Sequence, residues 1–458
     1  MIRLTILLVC ATLAVSALLI WCISRWDTWF GNQEEEPYCN STMPERIMLT
    51  FGDSCEWNRN ISWTCGETVS PAFVELTDRE TNQTQRINAY GEVFKSRSGK
   101  AAYYVARLRN LEDGHSYRYR VCTGDKHSDW YDFCLQPLEE QSFSFIYIGD
   151  VQDTLGGITN QILRKTLASN PDINFLVCGG DLVEQPTHTY WNEAFQSMDS
   201  IRQKIPILTV TGNHDYLKGI IGTLERRFSL THSYYLDSME GENQVFTIRY
   251  KDAQLFCLDS NREFFYLLTQ RQWLEKKLSA SQAKWKIVVV HHPLYSIRGT
   301  LNNLAQRWMF DDLIREHNVD IVLQGHEHAY ARMTNHLDNG IAVPPVYTIS
   351  HCSPKNYRIE FDELFDRFAS GSRYYQKLRT SGDTLFITAV DACTQILHDS
   401  LFIVKSQTKT QLTDASWNLP EVIHFTPLRG NKKDAAFAKR IEEYKRRRNT
   451  INRKSPRQ

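Results

Sequence analysis

The chain has no excess of charge: Lys and Arg together number 53, and Asp and Glu together also number 53. Without a basic surplus nothing in the composition points to nucleic acid, and no nucleic-acid partner is expected. The 11 cysteines form no Cys-x-x-Cys pair, which removes the signature of a zinc ribbon or of a thioredoxin-type redox site. Long apolar runs are also scarce. The one exception is the amino end, where Leu4 to Ser24 is almost wholly apolar between Arg3 and Arg25. That length spans a bilayer as a helix. Residues 1–24 therefore read as a signal anchor or a signal peptide. The anchor is preferred, because apolar residues continue past the cleavage candidate Ala14-Val15-Ser16-Ala17. Arg3 and the free amine favour the amino end inside, which puts the body outside the cytoplasm: periplasmic, secreted, or membrane-anchored and facing outward.

Two cysteines, Cys10 and Cys22, lie in that segment, and the other nine are odd in number. Cys55/Cys65 and Cys122/Cys134 are the readiest local pairs in an oxidising compartment. Cys178 and Cys257 sit in apolar runs and read as buried free thiols.

Four stretches follow the apolar segment. Residues 25–43 form a polar, acidic linker. Residues 44–138 carry strand-like runs at 47–51, 61–65, 72–76, 101–108 and 117–122 without useful helical periodicity, which predicts a small all-β sandwich with a structural or spacing role. Asn110 to Gly114 turns into Tyr117-Arg118-Tyr119, the pattern of a tyrosine corner. From 139 to 410 strands alternate with helical patterns at 158–167, 190–201, 270–278 and 304–316, the mark of an α/β domain. A meander is expected at 234–236, 244–250 and 254–258. Residues 411–458 end in a basic tail, solvated or partly helical.

Five strand-like runs of the α/β domain end alike. Residues 143–148 lead to Gly149-Asp150, and 173–177 lead to Gly179-Gly180-Asp181. Residues 205–210 lead to Gly212-Asn213-His214-Asp215, 285–290 to His291-His292, and 319–323 to Gly325-His326-Glu327-His328. Buried parallel strands read as continuous apolar runs, and ligands gather beyond their carboxyl ends. Carboxylate, amide and imidazole without thiolate suit iron, manganese or zinc. The donors outnumber what one tetrahedral ion needs. Two ions together generate hydroxide near neutral pH and clamp the attacking and leaving oxygens of phosphoryl transfer. A His beside a ligand is placed to protonate the leaving group.

These blocks, in this order, resemble the metallophosphoesterases. The nearest branch is similar to the purple acid phosphatases, in the β-sandwich ahead (fibronectin-type-III-like in that branch) and in the His326–Arg332 stretch, His-Glu-His-Ala-Tyr-Ala-Arg. The resemblance covers roughly residues 44 to 405. It implies a metallophosphatase-type β-sandwich flanked by helices, preceded by the all-β domain. It implies an acid phosphatase-like hydrolase that cleaves phosphomonoesters by a metal-bound hydroxide. The alternatives are a phosphodiesterase or nucleotide hydrolase with the same site, and a non-catalytic phosphate-binding or adhesion protein. By position, Asp150, Asp181 and His328 would hold the first ion. Asp181 would bridge to the second, completed by Asn213, His291 and His326, with His214 as general acid. His292 and Arg298 are candidate substrate contacts. The partners implied are a phosphorylated small molecule and, if the amino-terminal segment is uncleaved, the membrane.

The chain departs from the family pattern at two positions. Glu184 stands where purple acid phosphatases have a tyrosine ligand, and Gln152 stands where other metallophosphoesterases have a histidine. Either is a candidate fifth donor to the first ion, or a neighbour of its ligands. Purple enzymes owe their colour to charge transfer from tyrosinate to ferric iron. With Glu184 in that place, two divalent ions and no strong visible band are expected. Tyr147 lies in a strand, and Tyr330 matches a family tyrosine that is not a ligand.

Overall fold

β-Branched and aromatic residues between turn signals give the first domain its strands. In the computed structural model, which describes residues 2–53, 55–232, 237–239, 242–337, 340–427 and 430–454, these are Glu45–Gly52, Cys55–Thr64, Ala72–Asp78, Thr84–Lys95, Lys100–Leu108 and Ser116–Thr123. Short pieces, Lys126–His127 and Tyr131–Cys134, follow. The Thr84–Lys95 strand serves two sheets. Thr84 to Asn88 pair with Ala72–Asp78, while Ala89 onward pairs with Lys100–Leu108. The strands so joined enclose a core that includes Trp63, Val74, Tyr104, Leu108 and Tyr119. The sequence did not announce this strand, because its residues are mostly exposed and polar on both faces. The tyrosine corner forms: the Glu112 N–H donates to the Tyr117 hydroxyl at 2.7 Å.

The Cys122/Cys134 pairing does not form. Cys134 lies opposite Ser116, six residues before Cys122 on the same strand, or about 20 Å away at the strand rise. No disulfide spans that distance. Cys65, Cys122, Cys134, Cys178 and Cys257 are all free thiols, and of Cys55 only the backbone is described.

The second domain packs two sheets face to face. One has seven strands, in the order Ile207–Thr209, Phe175–Cys178, Ser144–Ile148, Tyr374–Ser381, Thr384–Asp391, Leu397–Lys405 and Thr410–Asp414. The other has eight: Asp237–Met239, Glu242–Tyr250, Ala253–Leu258, Trp285–Val290, Ile321–Gln324, Ala342–Ile349, Tyr330–His336 and Arg367–Ala369. Of the expected meander, 234–236 lies outside the described residues. Phe145, Tyr147, Val177 and Leu378 meet Phe246, Val289 and Leu323 between the sheets. Helices Thr159–Ala168 and His188–Ser197 cover one outer face through Ile162, Leu167 and Trp191. Helices Phe264–Ala280 and Leu304–Glu316 cover the other through Leu274, Phe310 and Ile314. The outcome is a sandwich of sheets between helices. The runs feeding the five turns are strands of its two sheets and run parallel to one another within each sheet, while Ser144–Ile148 is antiparallel to Tyr374–Ser381 on its other side.

The two ends of the chain are more structured than their composition suggests. A helix runs from Ile2 to Phe30, and its Thr5–Phe30 portion is long and apolar enough to cross a membrane by length and composition. The acidic segment after it is a strap. The Glu35 carboxylate is buried, 2.6 Å from Arg227 and 3.1 Å from Arg97, and accepts the His188 N–H at 2.9 Å. Arg97 belongs to the first domain and the other two to the second, so one residue ties both together. At the other end the basic tail is a docked helix, Lys432–Lys454. Phe437, Ile441 and Tyr444, spaced to share one helical face, join the core under the eight-stranded sheet beside Phe361 and Phe368.

Candidate metal centre

Each turn is built so that backbone atoms approach one another closely. A Cβ on Gly212 would lie 2.1 Å from the Asp181 nitrogen, and one on Gly325 would lie 2.4 Å from Asp150 Oδ2. Only glycine fits either place. Asp150, Asp181, His326 and His328 themselves have positive φ, at 48°, 51°, 68° and 27°. A non-glycine residue there costs on the order of 1–2 kcal/mol, strain that folded proteins retain mainly at functional positions.

The turns lock to each other through the candidate ligands. Asp150 Oδ2 accepts the His326 N–H at 2.7 Å, and Asp181 Oδ1 accepts the His214 N–H at 2.8 Å. That leaves Asp150 Oδ1 without a hydrogen bond, 3.4 Å from His328 Nε2, and Asp181 Oδ2 3.5 Å from His291 Nε2. The His291 Nδ1–H donates to the Gly179 carbonyl at 2.8 Å, so its Nε2 faces the site, holding a proton or, once that is displaced, a ligand lone pair. Asn213 Oδ1 lies 3.2 Å from His291 Nε2 and 2.9 Å from His326 Nδ1. Asp181, His291 and His326 offer ligand atoms all within 4.8 Å of one another. His328 is held face-on between Tyr357 and His351, with centroids 4.3 and 5.3 Å away.

Electrostatics tests whether cations fit here. Asp150 and Asp181 are 0% and 1% exposed, yet among the described residues neither pairs with a Lys or Arg. Burying a carboxylate without a counter-charge is costly. In the metal-free protein the balance falls to a proton: burial opposes charge on His291, but the Asp181 carboxylate outweighs it and pushes the imidazole up to about 10. Asp181 is held below the usual carboxylate range against its burial, His291 being the main cause. Two buried acids facing nitrogen and amide-oxygen donors, with only a proton between them, fit divalent cations.

The remaining sequence candidates fall in different places. Gln152 is buried with both amide atoms unpartnered, so it can serve as an oxygen donor beside Asp150. Glu184 is turned to other work, with Oε1 ion-paired to Lys355, while its carbonyl accepts the His214 Nδ1–H at 2.7 Å. His292 packs 4.2 Å from the His326 ring and contacts Ser260 Oγ at 2.9 Å. Arg298 is exposed and stacks on Tyr357, 4.3 Å from its ring centroid. Arg298, Tyr357, Lys355 and Glu184 line a cavity of about 640 Å³ that reaches Phe425 and Phe437.

Sequence reasoning missed the residues that hold this set in place. Asp215 Oδ2 accepts the Gly212 N–H at 2.8 Å and the Asp181 N–H at 3.1 Å, bolting two turns together. Its presence in the Gly-Asn-His-Asp block was the available signal. Glu327 accepts the Ile297 N–H and the Ser296 hydroxyl, fixing the loop that carries Arg298. Tyr357 had no motif around it.

Residues 143–330 match the model of the calcineurin-like phosphoesterases, and residues 44–135 match that of the purple acid phosphatase N-terminal domain. Purple acid phosphatase 1 of Ipomoea batatas is 26% identical over 309 residues, covering 63% of this chain and 64% of that one. Purple acid phosphatase 4 of Arabidopsis thaliana is 30% identical over 220 residues, 42% of this chain and 64% of its own length. The chain thus spans a little under two thirds of these two relatives. The solved structure titled as that of PhoD superposes with a TM-score of 0.61 over 91% of this chain and all of its own, at 13% identity, which speaks for the fold alone. The chain carries a calcineurin-like metallophosphoesterase domain behind a domain of the purple acid phosphatase N-terminal type, and its relatives are purple acid phosphatases.

Proposed function

We propose that the protein is a metal-dependent phosphomonoesterase that works outside the cytoplasm, anchored by its amino-terminal helix. The observation that carries this is the pair of buried carboxylates, Asp150 and Asp181, facing His291, His326, His328 and Asn213 with no Lys or Arg paired to them among the described residues. Asp150, Asp181 and His328 would hold one ion. Asp181, Asn213, His291 and His326 would hold the other, with Gln152 as a further oxygen donor to the first. When bound, two divalent ions supply Lewis acidity to the phosphoryl oxygens and make water more acidic. We assign residues 44–138 to the amino-terminal domain and the chain from 139 onward to the catalytic domain, whose sheet takes in the Thr410–Asp414 strand and whose core takes in the Lys432–Lys454 helix rather than leaving 411–458 as a separate tail.

The chain's own residues do the rest. The Glu184 carbonyl takes the His214 Nδ1–H, which fixes the ring and leaves Nε2 to carry the proton that the departing alkoxide needs. Lys355 neutralises the Glu184 side chain, so this carboxylate does not repel phosphate at that edge. Arg298, stacked on Tyr357 and without a carboxylate partner among the described residues, meets the phosphate oxygens. Ser260 orients His292 toward the same opening. The test is a panel of phosphomonoesters, diesters and nucleotides with the purified, metal-loaded chain. Monoesters should turn over fastest. Preferential turnover of diesters would overturn the assignment, and no hydrolysis of any substrate would favour a binding protein.

A further inference from the structure

Five side chains on stretches tied to the metal-centre turns are exposed in a way that soluble surfaces avoid. Ile220, Ile221, Phe265, Leu301 and Trp308 are each between 69% and 80% exposed. They come from three separate stretches of chain, with Phe265 and Trp308 on helices. Ile220 and Ile221 lie between the paired segments Tyr216–Leu217 and Thr223–Leu224, directly after Asn213 and His214. Phe265 opens the helix after the Ala253–Leu258 strand, and Leu301 and Trp308 follow the turn of His291 and His292. The stretches are bolted together: Asn261 Nδ2 donates to the Thr211 carbonyl at 2.9 Å, the Tyr216 hydroxyl to Asp259, and Gln306 Nε2 to the Ser260 carbonyl at 3.0 Å. Tied together in this way, the three stretches make up a rim of exposed apolar side chains, and an apolar patch on the order of several hundred Å² is the size that marks an interaction surface.

The structure also indicates what covers this rim. Asn32, two residues beyond the apolar helix Ile2–Phe30, clamps the same hairpin. Its Nδ2 donates to the Lys218 carbonyl at 2.9 Å and its Oδ1 accepts the Lys218 N–H at 2.8 Å. The helix ends in Trp26, Trp29 and Phe30, residues suited to the membrane–water boundary. Ile220 is two residues from the clamp, within about 8 Å of chain. Basic side chains lie among the apolar ones, at Lys218, Arg262, Arg298 and Arg307, the mixture that favours an interfacial position on lipid.

We infer that this rim beds into the bilayer surface beside the anchor, so that the metal centre opens onto the membrane and acts on the phosphomonoester headgroup of a lipid. The inference rests on the phosphomonoesterase reading above. Water adds to phosphorus and the P–O bond to the lipid breaks. The lipid leaves as an alcohol carrying the His214 proton, and inorganic phosphate is the other product.

The test uses the full chain reconstituted in phosphatidylcholine vesicles containing phosphatidic acid. Phosphate release from that lipid is compared with turnover of soluble 4-nitrophenyl phosphate. The rim variant carries Ile220→Asp, Ile221→Asp, Leu301→Asp and Trp308→Asp together; Trp417→Asp, at an exposed site elsewhere, is the control. The rim variant should keep its soluble turnover, which also reports a folded site, and lose lipid turnover by about tenfold or more. If the four changes unfold the chain, Trp308→Asp alone should show a partial loss of the same kind. Equal lipid rates in wild type and rim variant would overturn the inference. So would a wild type that cleaves the soluble ester and never the lipid. A detergent-solubilised dimer that the rim variant converts to a monomer, with lipid rates unchanged, would make the rim a contact between copies instead. If neither substrate is cleaved, the phosphomonoesterase reading itself has failed.

Discussion

Arg332 offers the sharpest stability test, because it closes a buried ion network between the two sheets of the catalytic domain. Its side chain and that of Asp399 are 1% and 0% exposed. Arg332 Nε donates to Asp399 Oδ2 at 2.7 Å, and Tyr330 donates to the same oxygen at 2.7 Å. Tyr330 and Arg332 lie on the Tyr330–His336 strand, just after His328, while Asp399 lies in the opposite sheet. Arg332→Met would leave Asp399 buried with the Tyr330 hydroxyl and with Arg367, 3.9 Å away, as its remaining cation; breaking a buried pair in this way typically costs about 3–5 kcal/mol. Asp399→Leu alone should cost less, because the guanidinium keeps Asp414 at 2.5 Å and Asp366 at 3.4 Å. Replacing both removes the uncompensated charges together, so the double variant should lie well above the sum of the singles, by roughly 2 kcal/mol or more. Urea unfolding, followed by circular dichroism, gives all three values. A cost below about 1 kcal/mol for Arg332→Met, or strict additivity, would refute the network.

Three further outcomes follow from the same geometry. His214→Ala should keep its metals and lose about 10²–10⁴ in turnover, with a smaller loss for nitrophenyl than for alkyl esters; equal losses would rule out the acid role. His188 contacts Arg46 across the domain boundary at 2.7 Å, and burial, with Arg46 and Arg227 adding, pushes it down to about 3. Its contribution is complete above its ordinary value near 6.5 and is lost as pH falls from there toward 3, so the wild type should lose more thermal stability across that window than His188→Gln, and parallel curves would contradict this. The metal-loaded protein should lack an intense visible band: Tyr330 is committed to Asp399, and Tyr357 is stacked face to face on the His328 ring, 9° from its plane. A strong band with iron bound that disappears in Tyr357→Phe would show that Tyr357 has taken the place of the missing family tyrosine.

The strand-end turns were legible because each compresses its signal into a few residues. In four of the five an apolar run, a glycine and a ligand-type side chain follow within a few residues, as at Ile148-Gly149-Asp150, and in the fifth His291 follows Val290 directly. What stayed hidden acts across large sequence separations or lacks a pattern. Glu35 reads as solvated linker until Arg97 and Arg227 close around it. Tyr357 belongs to a loop with no periodicity, and only packing sets it on His328. The Thr84–Lys95 strand gains its place from pairing with two neighbours rather than from apolar alternation. Glu184 shows the limit of reading by position: it was a candidate donor because it occupies the place of a ligand, but Lys355, 171 residues away in sequence, holds its carboxylate.

The central claim is that Asp150, Asp181, Asn213, His291, His326 and His328 together hold two ions, with Asp181 shared between them. Metal content per chain, measured alongside phosphomonoester turnover for the wild type and Asp181→Ala, tests it most directly. The account predicts two ions in the wild type, and loss of the second ion together with activity in the variant, while circular dichroism shows the fold retained. Two ions and normal turnover in Asp181→Ala, or full wild-type activity with a single ion, would contradict it.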